Sequence, residues 1–530
     1  MLKTAYNYPL PSVDWTILTP LIIVVCTGIA ALIIEMLRPK HNNNAIVWTS
    51  LAGLTLAGWT VIRQFGDPDA ETFGQMLVRD RPALVFQLIL IVAGMLTIMF
   101  SEGYLRAKRI PYGEFYPLAL WSLSGAMVMA SSKSLLMIFI GLEILSIALY
   151  VLAGMSRHEN RSEESAIKYF LLGAFASGFL LYGIAFFYGA TGGLHLDLVA
   201  KAWSTNDQTS QGLLIFGMGL MLVGLGFKAA FAPFHQWTPD VYQGAPTNVT
   251  AFMAACSKVA AIAALYRILE ATGAMQDLWF PVLYWVAIGT MVVGNLVALV
   301  QKDVKRILGY SSIANAGYVL VALLAHFRDP NSVGLGTTAF YLIAYTFMTV
   351  GTFAVVSLTA KDGKEGTRLQ DLYGLYHRAP LAAALLVVFV CSLIGIPPLA
   401  GFYGKLLIFR DAVQAHLVPL AVILAINSVV SIYYYVGIVR AAFVAEEGFL
   451  PTQSRKPGFG VNMVCLICAA GTIGTVLFAG PLMEWMGLGA NSTQGNLVRV
   501  IEKPLQAAQP AAQALPVPPP SAGGGLGVRE

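Results

Sequence analysis

Long apolar runs separated by short polar segments recur along the whole chain. Most are about 20 residues long, the length that a helix needs to cross the roughly 30 Å hydrocarbon core of a bilayer. A membrane barrel would instead alternate apolar and polar positions over segments of about 10 residues. The pattern therefore predicts an all-α polytopic membrane protein. About fourteen transmembrane helices are expected, at residues 16–37, 44–62, 82–101, 112–131, 134–155, 165–189, 212–231, 246–269, 278–300, 304–325, 334–359, 380–409, 415–443 and 460–486.

Composition agrees with this interpretation. Hydrophobic residues make up 57% of the chain and charged residues 12%, whereas soluble domains have roughly 45–50% and 25%. This composition predicts the lipid bilayer as a partner. The net charge of +5 is small and scattered along the chain, so we expect no nucleic acid as a partner. Cys465 and Cys468 form a CxxC without a second pair or a nearby histidine, which leaves a metal site incomplete. No glycine-rich nucleotide loop is present either, and we expect no cofactor on this chain.

The distribution of Lys and Arg predicts an orientation. The loops after odd-numbered spans carry 17 of these residues, and the opposite loops carry 9. The positive-inside rule then places the odd loops in the cytoplasm and both termini outside. No cleavable signal peptide is expected, because the first apolar run is too long for one.

Ionisable residues remain deep inside the predicted spans. A charge at the centre of a span costs roughly 2.5–3.5 kcal/mol on insertion scales, so several together cost a large fraction of a typical stability of about 5–15 kcal/mol. Lysine gains and loses its proton readily when buried, whereas arginine does not. The deep lysines therefore suit proton exchange. The five residues are Glu143, Lys168, Lys228, Lys258 and Lys405.

Structural roles stay open for some of these residues. Lys168 lies near the start of its span, where a lysine reaches the interface by snorkelling. A purely structural ion pair between Glu143 and Lys168 and an inert role for Lys258 are also open.

Two predicted spans contain helix breakers beside a lysine. Pro233 follows Lys228, and Pro397 and Pro398 precede Lys405. Proline removes a helical hydrogen bond, and in a bilayer the freed carbonyls need protein or water as partners. We therefore expect a hydrated cavity near mid-membrane at each break. His235, after the first break, titrates near neutral pH or is a hydrogen-bonded structural group.

The breaks lie five spans apart, so the two broken helices run in opposite directions through the membrane. This offset predicts two inverted five-helix repeats, each with a broken helix. The expected organisation is three N-terminal helices (1–110), a first repeat of helices 4–8 (111–270), an inverted second repeat of helices 9–13 (271–445), helix 14 (446–490) and a disordered Pro/Ala/Gly-rich tail (491–530).

The chain resembles the antiporter-like membrane subunits of proton-pumping NADH:quinone oxidoreductase, respiratory complex I, over about residues 110–445. The segments that carry the resemblance are AIKYFLLGAFASGFLLYGIAFFYGATG, FKAAFAPFHQWTPDVYQGAPTNVTAFMAACSK, VKRILGYSSIANAGYVL and IGIPPLAGFYGKLLIF. One sister group is expected to carry glutamate where this chain has Lys405, and another extends into a long lateral helix; both are disfavoured. The resemblance implies proton translocation by Glu143, Lys168 as its partner, Lys228, His235, Lys258 and Lys405.

The resemblance also implies the surroundings of the chain. NADH, FMN, iron–sulfur clusters and quinone would belong to partner subunits, with other membrane and peripheral subunits, including sister antiporter-like subunits, as neighbours in a bacterial inner membrane. The first alternative is a subunit of a multi-subunit cation/proton antiporter without redox chemistry. The second is a structural spacer with inert buried ion pairs.

Overall fold

The computed structural model describes residues 12–37, 44–110, 113–205, 207–329, 333–444 and 456–488. Within these ranges the chain forms twenty α-helices: α1 Trp15–Leu37, α2 Asn44–Gln64, α3 Arg81–Ala107, α4 Phe115–Ser131, α5 Leu135–Ala153, α6 Asn160–Thr191, α7 Leu198–Ser204, α8 Gln208–Ala229, α9 Trp237–Gly244, α10 Thr247–Phe252, α11 Lys258–Ala271, α12 Gln276–Ala298, α13 Val304–Arg328, α14 Gly334–Val356, α15 Leu375–Arg378, α16 Pro380–Ile394, α17 Ala400–Gln414, α18 Val418–Phe443, α19 Phe459–Leu477 and α20 Ala479–Met486.

Membrane-spanning helices dominate the described ranges. Twelve helical segments there are long and apolar enough to cross a bilayer, and α4 and α16 are shorter apolar helices. These fourteen segments occupy the fourteen predicted spans, so the polytopic all-α fold is confirmed. The twelfth predicted span is divided into α16 and α17, and the seventh continues from α8 into α9 after an interruption.

The core of the molecule is built from three spans that contact almost no lipid. In Thr247–Ala271 the whole most apolar window is buried, and α13 and α14 are nearly as enclosed. α1, α6, α12 and α18 instead expose large apolar side chains, as expected for helices at the lipid boundary. Small residues in KVAAIAAL of α11 let neighbouring helices approach closely. The enclosed spans are therefore where buried polar groups can be satisfied by protein.

A π-helical turn interrupts the most enclosed span. Met253–Ser257 adopts this geometry between α10 and α11, directly before Lys258. Such turns occur often at functional sites, because the extra residue re-aims the side chains that follow.

Two short antiparallel hairpins lie in the connections between helices. Their strands are β1 Ala70–Thr72, β2 Leu77–Arg79, β3 Ala360–Lys361 and β4 Lys364–Glu365. Four basic residues used to predict the orientation, Lys3, Arg38, Lys40 and Arg455, lie outside the described residues, and so does the tail 491–530.

Candidate functional site

The first break separates α8 from α9 and comprises residues 230–236. Ala230 adopts a left-handed conformation with φ of 62° and closes α8 by donating its N–H to the Gly226 and Phe227 carbonyls. The Phe227 carbonyl also accepts a 2.8 Å hydrogen bond from the indole Nε1 of Trp237. The N–H of Ala232 donates to Thr290 Oγ1 at 3.0 Å. Protein groups thus satisfy part of the interrupted backbone, as a break inside a bilayer requires.

Lys228 lies buried in the last turn of α8, two residues before the left-handed residue. Its ammonium donates to Ser146 Oγ on α5 at 2.8 Å and to the Tyr169 hydroxyl on α6 at 3.0 Å. The Tyr169 ring stacks on Trp237 of α9 with centroids 4.7 Å apart. Three other helices therefore meet around this lysine, and its two direct partners are neutral hydroxyls.

Glu143 lies on α5 three residues before Ser146, so both side chains are on the same face of the helix. Its Oε1 is buried and has no hydrogen-bond partner among the described residues. An unpartnered carboxylate oxygen beside a buried lysine site is costly, and it leaves Glu143 able to accept a hydrogen bond when its surroundings change.

The direct pairing of Lys168 with Glu143 that the resemblance implies is not among the contacts of the described residues in this structure. Lys168 Nζ contacts Glu164 Oε1 at 2.6 Å and Asp240 Oδ2 at 3.1 Å, and 42% of its side chain is exposed. Because Lys168 lies only two turns into α6, its flexible stem reaches the polar residues at the end of the span. A pocket lined by both acids, Arg161 and Arg306 holds the ammonium there.

Lys258 is the first residue of α11 and is buried in the core. Its ammonium donates to Ser312 Oγ on α13 at 2.6 Å and also to the Ser312 carbonyl. The Tyr345 ring of α14 lies 5.1 Å from the nitrogen, in cation–π geometry. Ser312 Oγ lies 3.4 Å from the Tyr242 hydroxyl of α9, so this lysine has polar neighbours on the helix that follows the first break.

A series of hydrogen-bonded side chains continues from Ser312 toward the second break. The neighbouring Ser311 bonds through its hydroxyl to Tyr435 and through its carbonyl to Asn315 Nδ2, the latter at 2.8 Å. Asn315 Oδ1 accepts from the Tyr341 hydroxyl at 2.5 Å. The ring of Tyr341 packs so closely on Gly404 that a Cβ there would lie 2.7 Å from it. Gly404 immediately precedes Lys405, so the series reaches α17 one residue before that lysine in the chain.

The second break separates α16 from α17 and comprises residues 395–399. Gly395 closes α16 with φ of 92° and donates its N–H to the Cys391 and Ser392 carbonyls. Lys405, buried on α17, reaches back and donates to the Leu393 and Ile394 carbonyls, both at 2.9 Å. These carbonyls belong to the last turn of α16, where no following helical N–H is available to donate to them. The ammonium therefore caps the interrupted helix.

His235 and the prolines shape the breaks without contacting the lysines directly. His235 Nδ1 is buried and has no hydrogen-bond partner among the described residues. Pro233 follows a cis peptide bond, and a second cis bond joins Pro397 to Pro398. The structure thus links Lys228 and Lys258 to hydroxyl side chains and Lys405 to backbone carbonyls, and it leaves His235 outside these contacts.

The sequence prediction missed the partners that hold the lysines. Ser146, Tyr169 and Ser312 hold two of the lysines, and Asp240 holds a third. A signal was present, because a hydroxyl within an apolar run costs free energy unless it is hydrogen-bonded. Nothing in the local pattern identifies which lysine each hydroxyl meets.

Residues 132–431 match the family model described as NADH:quinone oxidoreductase/Mrp antiporter, TM. NADH-quinone oxidoreductase subunit N of Trichlorobacter lovleyi is 40% identical over 467 residues, covering 87% of this chain and 94% of the relative. Subunit N 1 of Solibacter usitatus is 40% identical over 469 residues, covering 88% and 95%. The chain therefore belongs to the NADH:quinone oxidoreductase/Mrp antiporter family and, within it, to the subunit N branch of NADH-quinone oxidoreductases.

Solved structures agree with this assignment. A chain of respiratory complex I from Thermus thermophilus, solved with bound aureothin, matches with a TM-score of 0.74 and 36% identity over 89% of this chain and 100% of that chain. A chain of the Mrp complex from Dietzia sp. has a TM-score of 0.76 at 20% identity, over 92% of this chain and 99% of that one. The second likeness shows the shared fold alone, so the relatives favour the oxidoreductase over an antiporter without redox chemistry.

Proposed function

We propose that this chain translocates protons within the membrane part of an NADH-quinone oxidoreductase, driven by electron transfer from NADH to quinone in partner subunits. The observation that carries the proposal is the set of three buried lysines, Lys228, Lys258 and Lys405. Each ammonium contacts hydroxyl or carbonyl oxygens, and hydrogen-bonded Tyr, Ser and Asn side chains of α9, α13 and α14 lie near Lys258. A buried amine of this kind can bind and release a proton.

The redox cofactors belong to the partners. NADH, FMN, the iron–sulfur clusters and quinone would lie on other subunits, and sister antiporter-like subunits would flank this chain. We place the assembly in a bacterial inner membrane with both termini of this chain outside, on the bias of Lys and Arg between the loops.

The proposed mechanism begins at Glu143 and ends at Lys405. When Lys168 approaches or leaves Glu143, the electrostatic potential at Lys228 changes. Two unit charges 4 Å apart interact by about 4 kcal/mol at an effective dielectric constant of 20, which is sufficient to change which amine holds a proton. The proton then passes from Lys228 by way of Lys258 and intervening hydroxyls or waters to Lys405.

The two breaks would form the two access routes. In this proposal residues 111–270 and 271–445 are inverted repeats, each with one broken helix, and each opens toward one side of the membrane. His235, whose Nδ1 is buried and has no partner in the part of the chain that the structure describes, would take part in proton entry at the first break.

The test is Lys228→Ala in the assembled complex. We expect proton pumping to fall to background and quinone reduction to slow with it, because the central amine is gone. Lys228→Arg should also impair pumping, since a permanent cation cannot release its proton. The readouts are NADH-driven proton uptake into vesicles and the rate of NADH oxidation.

The matched control is Lys201→Ala, which removes an exposed lysine on α7 and should change neither rate. Wild-type pumping and quinone reduction in Lys228→Ala would remove the proposed role of this residue. A complex purified through this chain without peripheral redox subunits would instead support the cation/proton antiporter.

A further inference from the structure

Asp240 joins three parts of the molecule through a single carboxylate. Its Oδ2 lies 3.1 Å from Lys168 Nζ on α6, and its Oδ1 lies 2.5 Å from Arg306 NH1 on α13. Arg306 also donates to Gln243 Oε1 at 3.2 Å. With both oxygens occupied by cations, Asp240 holds α6, α9 and α13 together at the polar end of the pocket.

The location of Asp240 connects this contact to the central lysine. Asp240 lies on α9, which follows the first break and begins with Trp237. Trp237 stacks on Tyr169, and the Tyr169 hydroxyl accepts from Lys228. Lys168 is the residue immediately before Tyr169 on α6. The Lys168–Asp240 contact therefore lies next to the Tyr169–Trp237 stack that borders Lys228, one residue away on α6 and three residues away on α9.

In the proposed mechanism Glu143 is the alternative carboxylate for Lys168, whereas this structure shows Lys168 paired with Asp240. In this structure the ammonium is with Asp240 and Glu164, while Glu143 Oε1 is buried without a partner among the described residues. Glu164 lies one turn away on the same helix with 62% of its side chain exposed, against 37% for Asp240, and the more exposed pair holds a lysine more weakly. Asp240 keeps Arg306 when Lys168 leaves, so the departure does not strand a bare carboxylate.

We propose that Asp240 is a positioning residue that competes with Glu143 for Lys168 and holds it away from Glu143 in the resting state. The inference rests on the proposed function, since it assigns Asp240 the control of the step that begins translocation. Exchange of Lys168 between Asp240 and Glu143 then sets when Lys228 gives up its proton.

The partner of Lys168 is measured directly by zero-length cross-linking of the intact complex with a water-soluble carbodiimide. The reagent activates a carboxylate, the lysine amine displaces the urea, and an amide forms that mass spectrometry of the digest identifies. We expect the Lys168–Asp240 amide to exceed the Lys168–Glu143 amide at rest, and the ratio to shift toward Glu143 during NADH oxidation. A dominant Lys168–Glu143 amide at rest, or a ratio that turnover leaves unchanged, would overturn the proposal.

The functional arm compares Asp240→Asn with Asp240→Glu. We expect Asp240→Asn to lower protons pumped per NADH by roughly fivefold or more, the low end of typical coupling between sites. NADH oxidation should fall less, and Asp240→Glu should recover most of the pumping. The control is Glu163→Gln, an exposed acid on α6, which should behave as wild type. Equal losses in the Asn and Glu variants would show a packing role and overturn the proposal.

A double variant separates this inference from the proposed function. Because Asp240 acts by competing with Glu143, Asp240→Asn should add no further loss in a Glu143→Gln background. If Glu143→Gln impairs pumping and Asp240→Asn still adds its full loss, the competition is wrong and the proposed function stands. If Glu143→Gln pumps normally, the proposed function itself fails.

Discussion

The two helix breaks have a similar backbone conformation, but the charged residues around them lie at different positions. Ala230 closes α8 and Gly395 closes α16, each with a left-handed conformation. In each case the cis peptide bond starts two residues later, at Ala232 and at Pro397. Counted from the left-handed residue, the two breaks can therefore be compared position by position.

The comparison places lysine on opposite sides of the break. Lys228 precedes Ala230 by two residues, whereas Lys405 follows Gly395 by ten. The residue ten positions after Ala230 is Asp240. The two breaks thus share a way of interrupting a helix, and each has its own arrangement of charges around it.

The partners of the two lysines differ accordingly. Ser146 and Tyr169 are hydroxyls, which can donate to a neutral amine or accept from an ammonium. The Leu393 and Ile394 carbonyls accept only, and they lie at the negative end of the α16 dipole. The Lys228 nitrogen can therefore donate to its partners or accept from them, whereas the Lys405 nitrogen can only donate to its two carbonyls.

The largest effect that tests this comparison is on stability. Lys405→Met should destabilise the chain more than Lys228→Met, because it leaves two buried carbonyls unpaired at about 1–3 kcal/mol each. In Lys228→Met the Ser146 hydroxyl keeps its 2.5 Å bond to the Leu142 carbonyl. The measurement is the thermal midpoint of the detergent-solubilised complex. Equal shifts, or a larger shift for Lys228→Met, would contradict the proposed difference between the sites.

An intermediate effect comes from exchanging the left-handed residues. Gly395→Ala should destabilise by about 1–2 kcal/mol, because an L-residue is strained at positive φ. The new Cβ would also lie 3.2 Å from Lys405 Cδ. Ala230→Gly should stabilise by a few tenths to about 1 kcal/mol, since the strain exceeds the backbone entropy that glycine adds. We therefore expect the thermal midpoint to fall in Gly395→Ala and to rise in Ala230→Gly. Shifts in the same direction would show that the two turns are not equivalent.

The smallest effect concerns the hydroxyls that support each break. Thr290→Val removes the acceptor of the Ala232 N–H, and Ser392→Ala removes the acceptor of the Gly401 N–H, both 3.0 Å bonds. Each change should cost about 1 kcal/mol. We expect similar thermal midpoints for the two variants, both below wild type. A fall confined to one variant would show that water replaces the lost hydroxyl at the other break.

Much of the fold follows from the sequence, because lipid imposes a simple rule on length and polarity. The predicted span at 334–359 begins where α14 begins, and the pattern of prolines beside Lys228 and Lys405 located both breaks. The left-handed turns were not predicted, since Ala230 carries no local signal for that conformation. The π-helical turn before Lys258 was equally hidden, because its residues MAACS suit an α-helix.

The site was less accessible to prediction than the fold. The lysines stand out since charge is rare in apolar runs, but their partners depend on how distant helices pack. Lys168 illustrates this. Its contact with Asp240 arises only because α9 packs on α6, and the sequence pattern does not reveal that packing. Ser312 holds Lys258 across 54 residues of chain, a separation that periodicity cannot resolve.

The deep enclosure of Lys258 has a consequence for biogenesis. Its partner Ser312 is synthesised 54 residues after it, whereas the hydroxyl partners of Lys228 precede that lysine in the chain. At about 5–20 residues per second, a ribosome needs roughly 3 to 10 s to supply Ser312. During that interval the nascent span enters the translocon with an unaccompanied ammonium, so the insertion machinery must shelter it until α13 arrives.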